Sequence, residues 1–271
     1  MKKIKIGFVG AGKMAEAILA GLIAEKKYRP SEIGITTGTV PRRIHLKKKY
    51  GVVSFPSNPL LVASAPIIVL AVKPQMMKEV LPEIRPFVRT NQLYISIAAG
   101  KETRFFKKEL SPRLKIIRTM PNNPSLVRSG TTGLYAPPGI SPQDRKMAQG
   151  IMQAVGHTVW VKKENHLDTV TAISGSGPAY FYTLFETLIQ FGKKRGLTEE
   201  MAKELACTTA IGAARMTLET GVPPLTLRDW VTSKKGTTEA ALKVMARRHF
   251  AETLEQALVA NVRRSEELRK I

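Results

Sequence analysis

Acidic residues are scarce in this chain: 21 Asp and Glu stand against 43 Lys and Arg in 271 residues, a net charge of +22. Cysteine is nearly missing. With Cys207 alone, no disulfide can close within the chain, and a reducing, cytoplasmic setting is expected. Four histidines, His45, His157, His166 and His249, stand at no paired metal-ligand spacing, so no metal site is expected. Long apolar runs are also lacking: stretches such as Ile67 to Val72 are too short to span a bilayer, and no membrane partner is expected. The opening MKKIKIGFVGAG carries lysines before an apolar run, as a secretory signal would. That run is one strand long and breaks at Gly10 and Gly12, which argues against a signal peptide.

The charge is lopsided, with +18 carried by residues 1–161 and +4 by residues 162–271. A basic surface attracts anions, nucleic acid among them. A generally basic surface is the simpler explanation, with Lys47 to Lys49 as a solvated helix face, and no nucleic-acid partner is expected.

What is present is an ordinary apolar content, 43%, in a chain long enough for two domains. Ile4 to Val9 reads as a buried strand. Gly10, Gly12 and Ala15 follow in the pattern G-x-G-x-x-A, and Met14 to Glu25 continues as an apolar-rich helix. The first glycine makes a tight turn, the second lets backbone approach a pyrophosphate, and the small third residue lets helix pack on strand. The helix N-terminus then attracts the phosphates. Placed between a first strand and a first helix, the pattern predicts a dinucleotide site at Gly10, Ala11, Gly12, Lys13, Met14 and Ala15.

An NAD-selective site needs an acidic residue about 20 positions on, at the ribose hydroxyls. The second strand, Ile33 to Thr37, supplies none there. Thr36 and Thr37 offer hydroxyls instead, and Arg42 and Arg43 follow, in reach of a ribose 2′-phosphate or merely exposed on the next helix. The combination favours NADPH, with NADH as the second choice. Further strands are expected at Pro66 to Val72, Leu93 to Ile97 and Lys115 to Thr119, with a helix over Pro74 to Ile84 and a final edge at His157 to Val161. In doubly wound sheets ligands sit at the carboxyl ends of strands. The loops Val72-Lys73-Pro74-Gln75, Ala98-Ala99-Gly100 and Met120-Pro121-Asn122 therefore suit a nicotinamide pocket, with Ala71, Val72, Lys73, Pro74, Ala98 and Ala99 as expected cofactor contacts. Asn58 is either a helix N-cap or a cofactor contact.

From Glu164 onward helices dominate. In TAISGSGPAY, Gly175 and Gly177 alternate with Ser174 and Ser176 before Pro178, which predicts a tight bend opening a long helix. A second small-residue bend is Gly236-Thr237-Thr238. Each is an ordinary turn or a place where a ligand approaches backbone; two in one helical half favour the ligand. Phe181, Leu184, Phe185, Leu188 and Ile189 form one apolar stripe. Small residues at Ala202, Ala206, Thr209, Ala210 and Ala213 allow close helix approach, within the chain or at a dimer seam. The fold expected is α/β, a Rossmann-like doubly wound sheet over 1–161 followed by an all-α domain over 162–271.

These motifs, GAGKMAEAIL, AVKPQ, RTMPNNP, ENHLDTVTAISGSGPAY and LRDWVTSKKGTTEAAL, in this order, resemble pyrroline-5-carboxylate reductase over essentially the whole length. The resemblance implies hydride transfer from NAD(P)H to the C=N carbon of Δ1-pyrroline-5-carboxylate, giving L-proline. It implies a helical domain that supplies the imine site and an intertwined homodimer, often assembled into a decamer. Ala11 to Met14, Asn58, Val72, Lys73 and Ala99 would contact cofactor; Glu164, Thr237 and Thr238 would line the imino-acid site, with Thr238 hydrogen-bonding the imine nitrogen. Capping of the helix that begins near Glu239 is the other role open to Thr237 and Thr238. A related imine reductase or β-hydroxyacid dehydrogenase is the neighbouring alternative. The chain departs from the family where Lys234-Lys235 replace a usual Pro-Gly, Trp230 a polar residue, and Pro66 an acidic one.

Overall fold

The computed structural model describes Lys3 to Arg269. Strands and helices alternate through β1 (Ile6–Val9), α1 (Lys13–Ala24), β2 (Ile33–Ile35), α2 (Val40–Tyr50), β3 (Val53–Ser54) and α3 (Asn58–Ser64). They continue as β4 (Ile67–Leu70), α4 (Met77–Ile84), β5 (Leu93–Ser96), α5 (Thr103–Glu109) and β6 (Lys115–Met120). The strands form one sheet in the order β3-β2-β1-β4-β5-β6, then β7 (Gly130–Tyr135) and β8 (Gly156–Trp160), with α6 (Pro142–Gln153) between the last two. Register pairs Ile6 with Ile33 and Ile67, Ile67 with Leu93, and Leu93 with Lys115, all parallel; β7 runs against β6, and β8 runs parallel to β7. The order reverses beside β1, so β1 and β4 open a crevice at their carboxyl ends.

Strand side chains alternate between two cores because successive Cβ atoms point to opposite faces. Ile6, Phe8, Val69, Ile95 and Ile117 meet Ile18, Leu19 and Leu22 of α1 and Ile151 of α6. On the other face Val9, Ile68, Leu70, Tyr94 and Ile116 meet Leu61, Leu81 and Phe106. Covered on both sides, the strands read as near-continuous apolar runs, which is why they are legible without alternation. They are shorter than expected at β1, β2, β4 and β5, because their outer residues lie beyond the paired register. The helix expected from Pro74 begins as a 3-10 turn at Pro74–Met76 and becomes α-helical at Met77. The edge expected near His157 is β8. Lys47 to Lys49 lie on the exposed last turn of α2, with Lys49 bonded to Glu16.

The remaining elements are α7 (His166–Val170), a π-helical turn at Thr171–Gly175, α8 (Gly177–Lys194), α9 (Glu199–Thr220), α10 (Pro224–Trp230), α11 (Thr237–Arg247) and α12 (Phe250–Leu268). The chain packs as two units: one runs to Ser176 and regains the stretch from Asn261 on, and the other is Gly177–Ala260. In the first unit, Ser265 Oγ donates to the buried Asp168 at 2.7 Å, and Arg269 pairs with Asp168 and Glu102. In the second, α8 and α9 lie together, Ala202 and Ala206 buried and Ala202 close against Gly192. Two of the five residues of the small-residue stripe, Ala202 and Ala206, are thus taken up by intrachain packing. Phe181, Leu184 and Leu188 of α8 and Leu205 and Ile211 of α9 stay exposed. Among the described residues no helix is long and apolar enough to cross a membrane.

The expected bend at Ser174–Gly177 is not a glycine turn. Neither Gly175 nor Gly177 takes a positive φ. Instead the helix of α7 widens, and the Ser176 N–H reaches the Thr171 C=O five residues back at 2.8 Å. Such turns are rare and occur often at functional sites.

Candidate active site

Gly10 follows β1 with φ +85°, and a Cβ there would lie 2.7 Å from Val72 Cγ1 and 2.9 Å from the Val72 nitrogen. Only glycine fits. Its N–H donates to Thr36 Oγ1 at 3.2 Å, and that hydroxyl donates on to the Phe8 C=O at 3.4 Å. Gly12 is the N-cap of α1; no side chain caps it, and a Cβ built on it meets nothing within 4 Å. The first turn of α1, Lys13 and Met14 onward, therefore leaves backbone N–H groups without helical partners next to open space, a ready anion site. Ala11 and Ala15 are buried beneath it.

This geometry corrects the expected phosphate site. Thr36 is buried with its hydroxyl turned inward, where it fixes Gly10 rather than facing a ligand. Arg42 is not free either: its Nε donates to the Ala11 C=O at 3.0 Å, and it pairs with Glu16 at 2.5 Å. Burial alone would raise the Glu16 carboxyl, but hydrogen bonds from Lys49, Tyr50 and Arg42 outweigh it and hold the pKa at about 2. Arg42 thereby locks the turn through Ala11. Thr37, bonded to the Thr39 C=O at 2.7 Å, and Arg43 are the remaining members of that group, both half-buried.

The loops after β4 and β5 share the carboxyl end of the sheet with the glycine turn. Ala71 N–H bonds the Val9 C=O at 2.8 Å, Val72 and Pro74 are half-buried, and Lys73 is exposed. Ala98 is buried beside a half-buried Ala99. Asn58 is not an N-cap: Ser57 holds that position, and Asn58 Nδ2 donates to Glu83 at 2.9 Å.

Glu164 sits where α7 approaches β6. Its carboxylate accepts from the Thr103 N–H at 2.6 Å, Thr103 Oγ1 at 2.8 Å and Arg118 Nη1 at 3.1 Å. Burial and the Glu164 charge push the Tyr135 phenol up, with Arg118 opposing. Asn122, at the end of β6, spans from the Thr131 N–H, 2.8 Å from its Oδ1, to the Ser174 C=O, 3.0 Å from its Nδ2. Ser174 Oγ donates to the Thr131 C=O at 3.4 Å, and Asn261 Nδ2 to Ser176 Oγ at 2.8 Å. Thr103 and Arg118 escaped the sequence reading as site residues, and Asn122 was read only as part of a nicotinamide loop. A charge within the apolar strand KIIRTM was the available signal for Arg118.

In the second unit, Gly236 is the N-cap of α11, and Thr237 and Thr238 are its first two helical residues. The capping role left open for the two threonines falls elsewhere: Glu239 reaches back to the Lys235 N–H at 2.8 Å, a bond that lowers its pKa. The threonine hydroxyls have no hydrogen-bond partner among the described residues, and their N–H groups head a helix. That is a backbone cradle for a carboxylate with a hydroxyl beside it. Lys235 adopts φ +59°, the left-handed region that favours glycine. Trp230, closing α10, is exposed.

Comparisons with known proteins agree with this layout. Residues 164–268 match the family described as pyrroline-5-carboxylate reductase dimerisation, and residues 5–100 match NADP oxidoreductase, coenzyme F420-dependent. The pyrroline-5-carboxylate reductase of Pseudomonas aeruginosa is 40% identical over 268 residues, 99% of this chain and 98% of that protein. The structure of a pyrroline-5-carboxylate reductase from Coxiella burnetii superposes with a TM-score of 0.90 at 39% identity, covering 100% of both chains. That of Plasmodium falciparum pyrroline carboxylate reductase with NADP bound gives 0.90 at 30% identity, covering 99% of each.

Proposed function

The chain belongs to the pyrroline-5-carboxylate reductase family, and on that premise we propose how its own residues reduce the C=N bond of Δ1-pyrroline-5-carboxylate to give L-proline. It is an NADP-dependent oxidoreductase of the last step of proline biosynthesis. The observation that carries the site assignment is the pair Thr237 and Thr238 at the head of α11, whose hydroxyls have no partner among the described residues.

The cofactor fits the first unit on structural grounds: Gly10 excludes any side chain, and Gly12 stands next to open space at an uncapped helix start. Gly10 to Ala15, Thr37, Asn58, Ala71 to Pro74, Ala98 and Ala99 would hold it, with Thr36 as the support beneath. Bound there, the nicotinamide supplies the hydride. The other tasks fall to this chain. The N–H groups of Thr237 and Thr238 hold the substrate carboxylate. The Thr238 hydroxyl hydrogen-bonds the imine nitrogen, whose proton comes with the substrate from water, so no strong acid or base is needed. Ser174, Gly175, Ser176 and Gly177 are assigned to substrate as well, and in the first unit Glu164 holds Arg118 and Thr103 in place. Positioning two reactants in this way is worth up to about 7–11 kcal/mol of barrier.

The helical region carries the family's dimerisation match. The exposed apolar faces of α8 and α9 support a homodimer, and we extend this to a decamer of cytoplasmic dimers. We divide the chain functionally at 161/162, a boundary supported by the match that begins at 164, although packing units change at 176/177. The test is NADPH oxidation by purified protein with Δ1-pyrroline-5-carboxylate, NADH in parallel. Proline formed one for one with NADPH consumed is expected; a cofactor-binding protein with no turnover would refute the proposal.

A further inference from the structure

We infer that Asn122 is a positioning residue that replaces a hydrogen bond Pro178 cannot make, and so fixes the π-turn that carries the proposed substrate residues Ser174 and Gly175. In a continuing helix the C=O of Ser174 would accept from the N–H of residue 178. That residue is proline and has no N–H. A carbonyl left without a partner inside the protein is costly, so a donor must come from elsewhere. The structure supplies one: Asn122 Nδ2 donates to the Ser174 C=O at 3.0 Å.

The amide is not free to turn over. Its Oδ1 accepts from the Thr131 N–H at 2.8 Å, so reversing it would set donor against donor and acceptor against acceptor. Asn122 is buried two residues past the end of β6, and its partner Thr131 lies in β7, the neighbouring strand of the sheet. Anchored to β7 through the Thr131 N–H, Asn122 thereby dictates where the widened turn places Ser174, Gly175 and Ser176. Asn261 holds the far side through Ser176 Oγ at 2.8 Å.

This inference rests on reading Ser174 to Gly177 as part of the imine subsite. Its test therefore has one arm that needs no turnover. Asn122→Asp keeps the acceptor for Thr131 and removes the donor to Ser174 with little change of shape. In the full-length protein, amide hydrogen exchange over 171–180 is expected to speed up about tenfold in Asn122→Asp, the size of one net hydrogen bond, while 6–24 stays unchanged. Asn122→Ala should behave alike, and adding Pro178→Ala, which restores an N–H at 178, should reverse most of the change. In the activity arm, kcat/KM for the imine should fall about 10- to 100-fold with the NADPH Kd unaltered. Unchanged exchange in Asn122→Asp, or no relief from Pro178→Ala, overturns the inference. Faster exchange with unaltered kcat/KM would instead overturn the reading of the turn as an imine subsite.

Discussion

Arg118 and Glu164 meet at 3.1 Å, Arg118 almost wholly buried in β6, while the Thr103 N–H shares the same Glu164 oxygen and Thr103 Oγ1 fills the other. The carboxylate is committed to the protein, so its influence on substrate is through what it holds in place. Glu164→Ala leaves a buried guanidinium without its partner and should cost about 3–5 kcal/mol of stability by urea unfolding. Glu164→Gln keeps an acceptor and should cost clearly less. Equal, small losses in both would show that the pair carries no structural weight.

Thr36 separates two accounts of the cofactor site. If its hydroxyl only fixes Gly10, Thr36→Val weakens NADPH and NADH binding by the same factor, about tenfold for one lost hydrogen bond to a backbone N–H. Thr36→Ser should restore both. Cofactor titration by fluorescence decides: a loss confined to NADPH would return the threonine to the 2′-phosphate.

The Glu16 cluster should register in acid. Its carboxyl titrates at about 2 in the fold against an ordinary 4.5, so its contribution to stability is complete above about 4.5. That contribution is lost as pH falls toward 2. The melting temperature of Glu16→Gln should therefore lie below wild type by a constant amount above pH 5, and the gap should narrow between pH 4.5 and 2.5. A gap that widened on acidification would contradict the assigned direction.

Lys235 holds φ +59°, in the left-handed region that favours glycine. The left-handed strain relieved in Lys235→Gly is partly offset by glycine's greater freedom in the unfolded chain, leaving a net gain of up to about 1 kcal/mol. Chemical denaturation of Lys235→Gly beside Lys235→Ala tests this; a less stable glycine variant would contradict it.

What the sequence made legible were local patterns that a single element satisfies. Gly10, Gly12 and Ala15 announced their turn because the motif, strand and helix are contiguous. β7 was missed, since Gly130 and Gly133 interrupt any apolar rhythm and its pairing with β6 is a tertiary matter. The SGSG stretch suggested a bend because glycine and serine are turn residues, but the π-turn answers to Thr171 and Asn122, and Asn122 lies 52 residues from Ser174. Thr36 and Arg42 had the right chemistry for a phosphate. Their partners, Gly10 and Glu16, sit 26 residues away and claim them from inside the fold.

The account stands most directly on Thr238. Steady-state kinetics of Thr238→Ala with Δ1-pyrroline-5-carboxylate and NADPH should show kcat/KM reduced on the order of 10²-fold, as for loss of one transition-state hydrogen bond, with the NADPH Kd and the melting temperature near wild type. A folded Thr238→Ala protein with undiminished kcat/KM would place the imine elsewhere.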